Sequence, residues 1–153
     1  MKAVLQRVKK ASVRVDGQVV GECAEGLMIL LGVANGDTEE DARLLATKIC
    51  NLRIFSDEND KMNLSVKNID GEALVISQFT LMANYKHGNR PDYLESASPN
   101  EANRLYEYFK GLMVAELRHV GCGVFGAHME VSLVNNGPVT IVMDSEVLKK
   151  KKA

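Results

Sequence analysis

The sequence predicts one α+β domain, in which a strand-rich mixed sheet forms a barrel-like layer and two main helices cover one of its faces. Three observations support this class. Two short runs are apolar at nearly every position, as in strands buried on both faces. Two longer segments carry apolar residues at helical spacing, and several others alternate apolar with polar residues. Strands and helices in this proportion pack as layers around one core.

The first 33 residues are predicted to form a hairpin followed by a central strand. Residues 2–8 and 11–15 alternate apolar and polar side chains. Asp16-Gly17 then supplies a hairpin turn, and residues 19–23 form the returning strand. Residues 27–33 are apolar on both faces, so we expect them at the centre of the sheet.

A first helix is predicted after the break at residues 35–37. Asp37 or Thr38 can cap it, and three acidic residues follow where the positive end of the helix dipole lies. Its apolar face consists of four residues at helical spacing: Ala42, Leu45, Ile49 and Leu52.

A second helix is predicted from residue 99. Ser98 can cap it, Pro99 suits the first helical position, and Glu101 completes a capping box. Its apolar positions extend to Leu117, and two glycines are predicted to end it: Gly121 and Gly123.

The remaining apolar segments are predicted to be strands. Residues 53–56 and 62–66 flank a polar turn, and residues 72–79 form a second buried strand. Residues 129–134 and 139–143 are the last two strands. The folded domain is assigned to residues 1–145, and residues 146–153 form a lysine-rich tail, for which we expect a solvated, frayed state.

Composition excludes several functions. The formal net charge is -1, whereas proteins that grip long nucleic acids carry a basic excess. Three cysteines without a paired spacing indicate reduced thiols, and the N-terminus does not resemble a signal peptide. The longest apolar stretch falls far short of the about 20 residues that span a membrane. We therefore expect a cytoplasmic protein without membrane contact.

The polar segment Ser77-Gln78-Phe79-Thr80 follows directly on the second buried strand. The exposed end of a rigid strand is a common place for a catalytic site. The alternative is that the strand simply reaches solvent and turns, and the pattern alone favours this alternative. Thr80 can act as a nucleophile, but no histidine lies near it in sequence as a base. Exposed backbone N–H groups here can instead stabilise an oxyanion.

A second polar segment, residues 135–140, lies between the last two predicted strands and contains Gly137-Pro138. Asn-Asn-Gly is typical of turns. The pattern alone favours a hairpin loop whose proline begins a strand and whose peptide bond is trans.

Two other groups of polar residues have roles that the sequence leaves open. His119, Cys122 and His128 match no standard zinc spacing, so structural or surface roles are favoured. The basic loop of residues 86–90, which contains Lys86, His87, Asn89 and Arg90, either contacts phosphate or is an ordinary surface loop. The sequence has no P-loop, dinucleotide-binding, nucleophile-elbow or zincin motif, which argues against those common enzyme classes.

The ordered motifs resemble those of the D-aminoacyl-tRNA deacylase family up to about residue 143. Gln6-Arg7-Val8 and Ala11-Ser12-Val13 match near the start of the chain, and Ser77-Gln78-Phe79-Thr80-Leu81 resembles the first signature of the family. The second signature is similar to residues 135–140, with Asn136 where an aspartate is expected. The intervening matches are short: Leu30-Leu31-Gly32-Val33, Arg53-Ile54-Phe55, Lys61-Met62-Asn63-Leu64, Arg90-Pro91, Ala97, Pro99, Phe125-Gly126-Ala127 and Met129-Glu130-Val131.

The resemblance implies a homodimer that hydrolyses the ester between a D-amino acid and the acceptor end of tRNA, with the active site at the subunit interface. Gly137-Pro138 is implied to be a cis peptide that enters the partner's site, receives the substrate's amino group and excludes L-amino acids. Arg7 is implied to hold this loop. The backbone N–H groups of Phe79 and Thr80 are the implied oxyanion donors, and Thr80 as a nucleophile ranks second. Achiral glycine would also be cleared from mischarged tRNA.

The resemblance implies no metal and no cofactor. Phe79, Phe125 and Met129 are expected either to line the substrate pocket or to pack in the core. Two alternative functions are kept. One is a non-catalytic nucleic-acid-binding module of the same fold, with the lysine tail and the basic loop as its contacts. The other is a metal hydrolase that uses His119 and His128, and the spacing disfavours it.

Overall fold

A computed structural model describes residues 1–149 as eight strands and two helices. The strands are β1 (Lys2–Val15), β2 (Gln18–Cys23), β3 (Gly26–Gly32), β4 (Phe55–Ser56), β5 (Met62–Leu64), β6 (Glu72–Ser77), β7 (Val120–Cys122) and β8 (Glu130–Asp144). The helices are α1 (Glu39–Asn51) and α2 (Pro99–Glu116). Short 3-10 turns occupy Phe79–Met82 and Ser145–Leu148.

The main sheet is mixed, as predicted. Its order is β2-β1-β3-β6-β7, and β8 pairs with β1. The pairs β3–β6 and β6–β7 are parallel, whereas β1 is antiparallel to β2, β3 and β8. The predicted hairpin between β1 and β2 is confirmed, since Asp16 and Gly17 both adopt positive φ at its turn. The predicted central strand is β3, of which six of seven residues are buried.

The sheet curls until its two edges nearly meet. A Cβ atom on Gly21 of β2 would lie 2.2 Å from the carbonyl oxygen of Cys122, and one on Gly121 of β7 would lie 2.5 Å from that of Glu22. Only glycine permits backbones to approach this closely. The two glycines thereby allow the barrel-like closure.

Each face of the sheet packs against its own core. The odd-numbered residues of β3, Leu27, Ile29 and Leu31, pack with both helices. The opposite face forms a smaller core inside the curl, which consists of Val8, Ala11, Val13, Cys23, Met28, Leu74 and Ile76. The prediction that helices cover one face is therefore confirmed.

The two helices run in the same direction. Arg104 of α2 pairs with Glu39 of α1 at 3.4 Å, and further along Cys50 lies 3.6 Å from Met113. Tyr106 of α2 donates its hydroxyl proton to the carbonyl oxygen of Val75 at 2.9 Å, and burial raises the pKa of this hydroxyl. This buried bond ties α2 to the strand that leads into residues 77–80.

The prediction for the end of α2 is wrong in part. The helix ends at Glu116, and Val120–Cys122 form β7 instead of a helix terminus closed by two glycines. The capping box predicted at its start does not form either, because Ser98 makes no side-chain cap. Arg104 holds the Glu101 carboxylate, with Nε 3.0 Å from Oε1 and Nη2 2.9 Å from Oε2.

Several strand bounds also differ from prediction. β1 runs unbroken from Lys2 to Val15, although two segments were expected. The strands predicted at 53–56 and 62–66 shorten to Phe55–Ser56 and Met62–Leu64, and β6 ends at Ser77 because a 3-10 turn begins at Phe79.

The start of the predicted lysine tail lies within the described residues. Lys149 pairs with Asp41 at 3.0 Å and with Glu146 at 2.6 Å, and residues 150–153 lie outside the described part. The three cysteines are free. Among residues 1–149, no helix combines the length and apolar character that crossing a bilayer requires.

Candidate functional site

The first candidate segment forms a turn at the carboxyl end of β6. The backbone N–H of Gln78 donates to the carbonyl of Leu31 at 2.8 Å, which extends the pairing with β3 by one bond. The 3-10 turn then begins at Phe79. The first N–H groups of any helical turn lack partners within it, so those of Phe79 and Thr80 are available donors.

This turn borders a cleft of about 670 Å³. The cleft lies between the end of β6, the start of α2 and the connection from β7 to β8. Of the catalytic and substrate-binding residues predicted from sequence, five line it: Ser77, Gln78, Phe79, Phe125 and Met129. A cleft of this size suits a small-molecule ligand or one end of a larger one.

Sequence reasoning assigned no role to most of the remaining wall of the cleft. Those residues are Val33, Ile76, Tyr93, Ser96, Ala97, Ser98, Pro99, Ala102, Gly126, Ala127, His128 and Val131. Six of them lie within matched family motifs, which was the available signal: Val33, Ala97, Pro99, Gly126, Ala127 and Val131. Ile76 lies in β6 and Ala102 in α2, whereas Tyr93, Ser96, Ser98 and His128 come from loops.

The wall is mostly apolar, and its polar side chains are those of serine, glutamine, tyrosine and histidine. All its residues fall within the described part of the chain, and they include no carboxylate, lysine, arginine or cysteine. Hydroxyl, amide, imidazole and backbone groups provide its hydrogen bonds. Such a wall can bind an uncharged ester and stabilise an oxyanion, but it offers no carboxylate base.

The hydroxyl of Thr80 is itself a hydrogen-bond acceptor, because the side-chain amide of Gln78 donates to its oxygen. Thr80 is exposed and is not among the cleft-lining residues. An attacking oxygen needs a free lone pair and a base that takes its proton. The Gln78 contact occupies one lone pair of the hydroxyl and supplies no base.

An aromatic pair stands at the rim of the cleft. Phe79 is 54% exposed, and its ring meets that of Tyr93 edge-to-face with centroids 5.0 Å apart. Core packing does not account for a phenylalanine this exposed. Phe125 and Met129 are partly buried and pack on the core while lining the cleft, so for them the two expectations are not mutually exclusive.

The second candidate segment is a bulge, and the predicted hairpin is wrong. Residues 130–144 form the single strand β8, which runs antiparallel to β1 on both sides of the segment. The pairing passes from Gln6↔Thr140 to Val8↔Asn135, so residues 136–139 bulge out opposite one residue, Arg7. Both arms run in the same direction, which a hairpin does not allow.

Two side chains hold the bulge. Arg7 donates from Nε to the carbonyl of Asn136 at 2.8 Å and from Nη1 to that of Ile54 at 2.8 Å. Asn135 closes the base of the bulge, since its Oδ1 accepts from the N–H of Val139 at 2.8 Å and its Nδ2 donates to Thr140 Oγ1 at 3.1 Å. Sequence reasoning gave Asn135 no role.

The tip of the bulge carries the peptide bond Gly137-Pro138, which is cis, whereas the pattern alone favoured trans. Both residues are exposed, and neither lines the cleft of its own chain. Gly137 has φ 142°, and a Cβ atom there would lie 3.1 Å from Arg7 Nη2. The structure thus places Thr80 on the turn next to the cleft and separates the other predicted residues into two groups. The bulge group contains Gly137, Pro138 and Arg7, and the cleft group contains Ser77, Gln78, Phe79, Phe125 and Met129.

The candidate metal ligands do not form a cluster. His119 Nε2 lies 2.8 Å from the carbonyl oxygen of Glu22, Cys122 Sγ lies 3.9 Å from Lys110 Nζ, and His128 lines the cleft. Within residues 1–149, no three His, Cys, Asp or Glu side chains are grouped as a cation would require.

Known proteins resemble this chain over nearly its whole length. A deacylase of Caldicellulosiruptor saccharolyticus is 58% identical over 146 residues, which cover 95% of this chain and 98% of the relative, and one of Dictyoglomus turgidum is 51% identical over 150 residues, with 98% and 96% covered. Both are named D-aminoacyl-tRNA deacylase.

Two solved structures share the fold. One, described as a c-Myc DNA Unwinding Element Binding Protein, superposes with a TM-score of 0.89 at 38% identity and covers 94% of this chain and 98% of its own. The other, a probable eukaryotic D-amino acid tRNA deacylase, has a TM-score of 0.79 at 15% identity, with 93% and 97% covered. The sequence profile described as D-Tyr-tRNA(Tyr) deacylase matches residues 4–144, and the chain therefore belongs to that family.

Proposed function

We propose that this protein hydrolyses the ester bond of D-aminoacyl-tRNA and releases the D-amino acid and free tRNA. The observation that carries the proposal is the neutral cleft at the end of β6, in a chain 58% identical to a protein named D-aminoacyl-tRNA deacylase. An aminoacyl ester is already activated, so its hydrolysis needs an oxyanion donor and a positioned water more than a strong nucleophile. The neutral wall fits that requirement.

The proposed reaction uses backbone groups. Water attacks the carbonyl carbon of the ester, and the N–H groups of Phe79 and Thr80 donate to the oxygen that becomes negative. The bond to the 3′-oxygen of the terminal ribose then breaks, and this oxygen takes up a proton that the water has lost. The adjacent 2′-hydroxyl orients the water. A covalent role for Thr80 ranks second, because the Gln78 amide donates a hydrogen bond to its hydroxyl oxygen and supplies no base.

The terminal adenosine and the acyl group occupy the cleft. We assign Phe79, Phe125 and Met129 as its apolar contacts, and Ser77 and Gln78 as polar contacts next to the oxyanion donors. The exposure of Phe79 supports the assignment, because burial of its ring against a base would remove apolar area from water. No cofactor or metal enters the proposed reaction.

We further propose a homodimer in which the Gly137-Pro138 bulge of one subunit enters the cleft of the other. The bulge is exposed, and Arg7 and Asn135 hold it away from its own cleft. In the partner's cleft, its carbonyl groups would receive the substrate's α-amino group, and the proline ring would block an L side chain. Such a filter does not read the D side chain, so glycine esters would also be hydrolysed.

The deciding assay compares D-tyrosyl-tRNA with L-tyrosyl-tRNA. Purified protein is expected to release D-tyrosine and to leave the L-ester intact. Equal cleavage of both esters, or of neither, would refute the proposed function. A second assay adds a chelator. A metal hydrolase that used His119 and His128 would lose activity, whereas the proposed site would not.

Mixed dimers test whether the bulge acts on the partner's cleft. One subunit carries Thr80→Pro, which removes an oxyanion donor, and the other carries Pro138→Ala. A mixed dimer then contains one site with an intact cleft and an intact bulge from the opposite subunit, so selective activity should return on mixing. No recovery after confirmed subunit exchange would show that each bulge serves its own chain.

The similarity to a DNA-element-binding protein supports a second candidate, a nucleic-acid-binding module without catalysis. The net charge of -1 disfavours it, and Lys149, at the start of the tail, already has acidic partners. Tight, salt-dependent binding of DNA by a protein inactive on D-tyrosyl-tRNA would favour this candidate. We place the deacylase in the cytoplasm, where aminoacyl-tRNA is used and cysteines stay reduced.

A further inference from the structure

A basic loop stands beside the cleft and is not used by the proposed reaction. Residues 85–91, Tyr-Lys-His-Gly-Asn-Arg-Pro, are all exposed. They contain Lys86, His87 and Arg90 but no acidic residue, in a chain whose basic and acidic residues nearly balance at 19 and 20. The cationic charge is therefore concentrated locally.

The loop has a fixed base. Asn84 and Asp92 exchange both backbone hydrogen bonds, with N–O distances of 2.8 and 2.9 Å, and close the loop as a ring. Asn84 Oδ1 accepts from the N–H of Lys86 at 3.0 Å, and Gly88 turns the chain with φ 66°. A closed base of this kind restricts the loop before a ligand arrives, which lowers the entropic cost of binding.

Both ends of the loop lead to the cleft. The turn with Phe79 precedes it, Tyr93 follows it, and the rings of these two residues are in contact. Lys86 and Arg90 form no ion pair with any residue of the described range 1–149. The carboxylate of Asp92 turns back to accept from the N–H of Leu94 at 3.2 Å. The side chains of Lys86 and Arg90 therefore remain available to an external anion.

We infer that this loop binds the unpaired nucleotides that precede the terminal adenosine of the substrate RNA, an inference that rests on the proposed function. Lys86 and Arg90 neutralise backbone phosphates, and the ring of Tyr85, 82% exposed, stacks on a base. Single-stranded RNA ends are recognised by this combination of cations and aromatic rings. The cleft holds the ester while the loop holds the strand that leads to it.

The test separates the strand from the ester. Lys86→Gln/Arg90→Gln and Tyr85→Ala are assayed on D-tyrosyl-tRNA and on 3′-O-D-tyrosyl-adenosine, which retains the ester but lacks the preceding nucleotides. On tRNA, the double variant should raise KM on the order of tenfold with kcat unchanged. It should also reduce the slope of log(1/KM) against log salt by about 1.4, at ~0.7 per phosphate contact. Hydrolysis of the adenosine ester should stay at the wild-type level.

A matched control removes the same charge elsewhere. Arg43→Gln/Lys48→Gln alters two exposed cations of α1, whose side chains line a different surface. The start of α2 borders the cleft, and α1 runs parallel to α2, so the start of α1 is its end nearer the cleft. Lys48 lies about 14 Å along the helix axis from that end. The control should not change KM on tRNA beyond twofold.

Four outcomes would overturn the inference. An unchanged KM and salt slope on tRNA would show that the loop makes no phosphate contact. An equal loss on the adenosine ester would show that the loop only supports the cleft. An equal rise of KM on tRNA in the α1 control would show that the effect comes from the change in net charge and not from the loop. Wild-type protein inactive on both substrates would refute the proposed function itself, and this inference with it.

Discussion

The turn after β6 and the bulge in β8 are both short polar segments attached to strands, yet their surroundings differ. Residues 77–79 face a cleft of about 670 Å³ with a neutral wall. The bulge at residues 136–139 is convex, and its two tip residues are exposed. The turn offers a binding volume and N–H donors but nothing that discriminates chirality. The bulge offers a rigid ring and carbonyls but no volume.

The difference indicates how the proposed chemistry is divided. In the proposed function, hydrolysis depends on the turn, and selection depends on the bulge. Changes in the turn should lower the rates for all substrates, whereas changes in the bulge should alter the ratio between D- and L-esters.

The largest effect is expected from Thr80→Pro. Proline removes one proposed oxyanion donor while its fixed φ suits the first turn of a helix, so kcat on D-tyrosyl-tRNA should fall about a hundredfold to a thousandfold. Thr80→Ala keeps the N–H group and should stay within about tenfold of wild type. Single-turnover rates decide the matter, and a collapse of Thr80→Ala to the level of Thr80→Pro would establish the hydroxyl as the nucleophile.

The second effect concerns selection. Pro138→Ala removes the ring proposed to block an L side chain, so the ratio of kcat/KM for D- over L-tyrosyl-tRNA should fall about ten- to a hundredfold. Asn136→Ala is the matched control, because Arg7 contacts only the backbone carbonyl of Asn136. An unchanged D/L ratio in Pro138→Ala would remove the assigned role of the proline.

Arg7→Ala should weaken the bulge and the fold together. Arg7 is half-buried, and its guanidinium bridges the carbonyls of Asn136 and Ile54. Loss of these charge-assisted bonds should lower the free energy of unfolding by about 2 kcal/mol and also reduce the D/L ratio. Urea unfolding and the paired assay measure the two effects. Arg14→Ala, an exposed position on the same strand, serves as the control.

Asp41 provides a region where only stability should respond. Burial alone would raise the pKa of its carboxyl, but bonds from the Thr38 N–H, the Ser145 hydroxyl and Lys149 lower it from 3.8 to about 2. The carboxylate therefore stabilises the fold above pH ~4, and this contribution of about 2 kcal/mol is lost as the pH falls towards 2. The denaturant midpoints of unfolding of wild type and Asp41→Asn should therefore converge as the pH approaches ~2. At neutral pH, the two proteins should have equal D/L ratios.

Features set by neighbouring residues could be predicted from sequence. Four such features are the Asp16-Gly17 turn, the start of α1 after Thr38, the start of α2 at Pro99 and the central strand β3. They depend on turn chemistry, a capping box, proline geometry and an apolar run, respectively. The polar turn at residues 77–80 could be located from sequence because it follows a buried strand. Its assignment as a site still needed the family resemblance, because the pattern alone favoured a plain turn.

Features set by distant contacts could not be predicted. β7 contains glycine because its backbone passes close to Glu22 of β2, a contact that spans most of the chain. The bulge looked like a hairpin because Asn-Asn-Gly is typical of turns, and only pairing with β1 shows that the two arms run in one direction. Tyr93 joins the site through its contact with Phe79 across the basic loop, which no periodicity reveals.

The smallest effect is expected from Asn135, and it is the finest test of the division. Asn135→Ala removes the acceptor for the Val139 N–H and the donor to Thr140, at a cost of about 1 kcal/mol in the free energy of unfolding. If the bulge selects only while held in shape, the D/L ratio should fall less than in Pro138→Ala, with kcat on the D-ester nearly unchanged. Asn135→Asp keeps the acceptor and should lie between alanine and wild type in both measurements. A loss of kcat without a loss of selectivity in Asn135→Ala would mean that the bulge contributes to hydrolysis, and that the two regions do not divide the work.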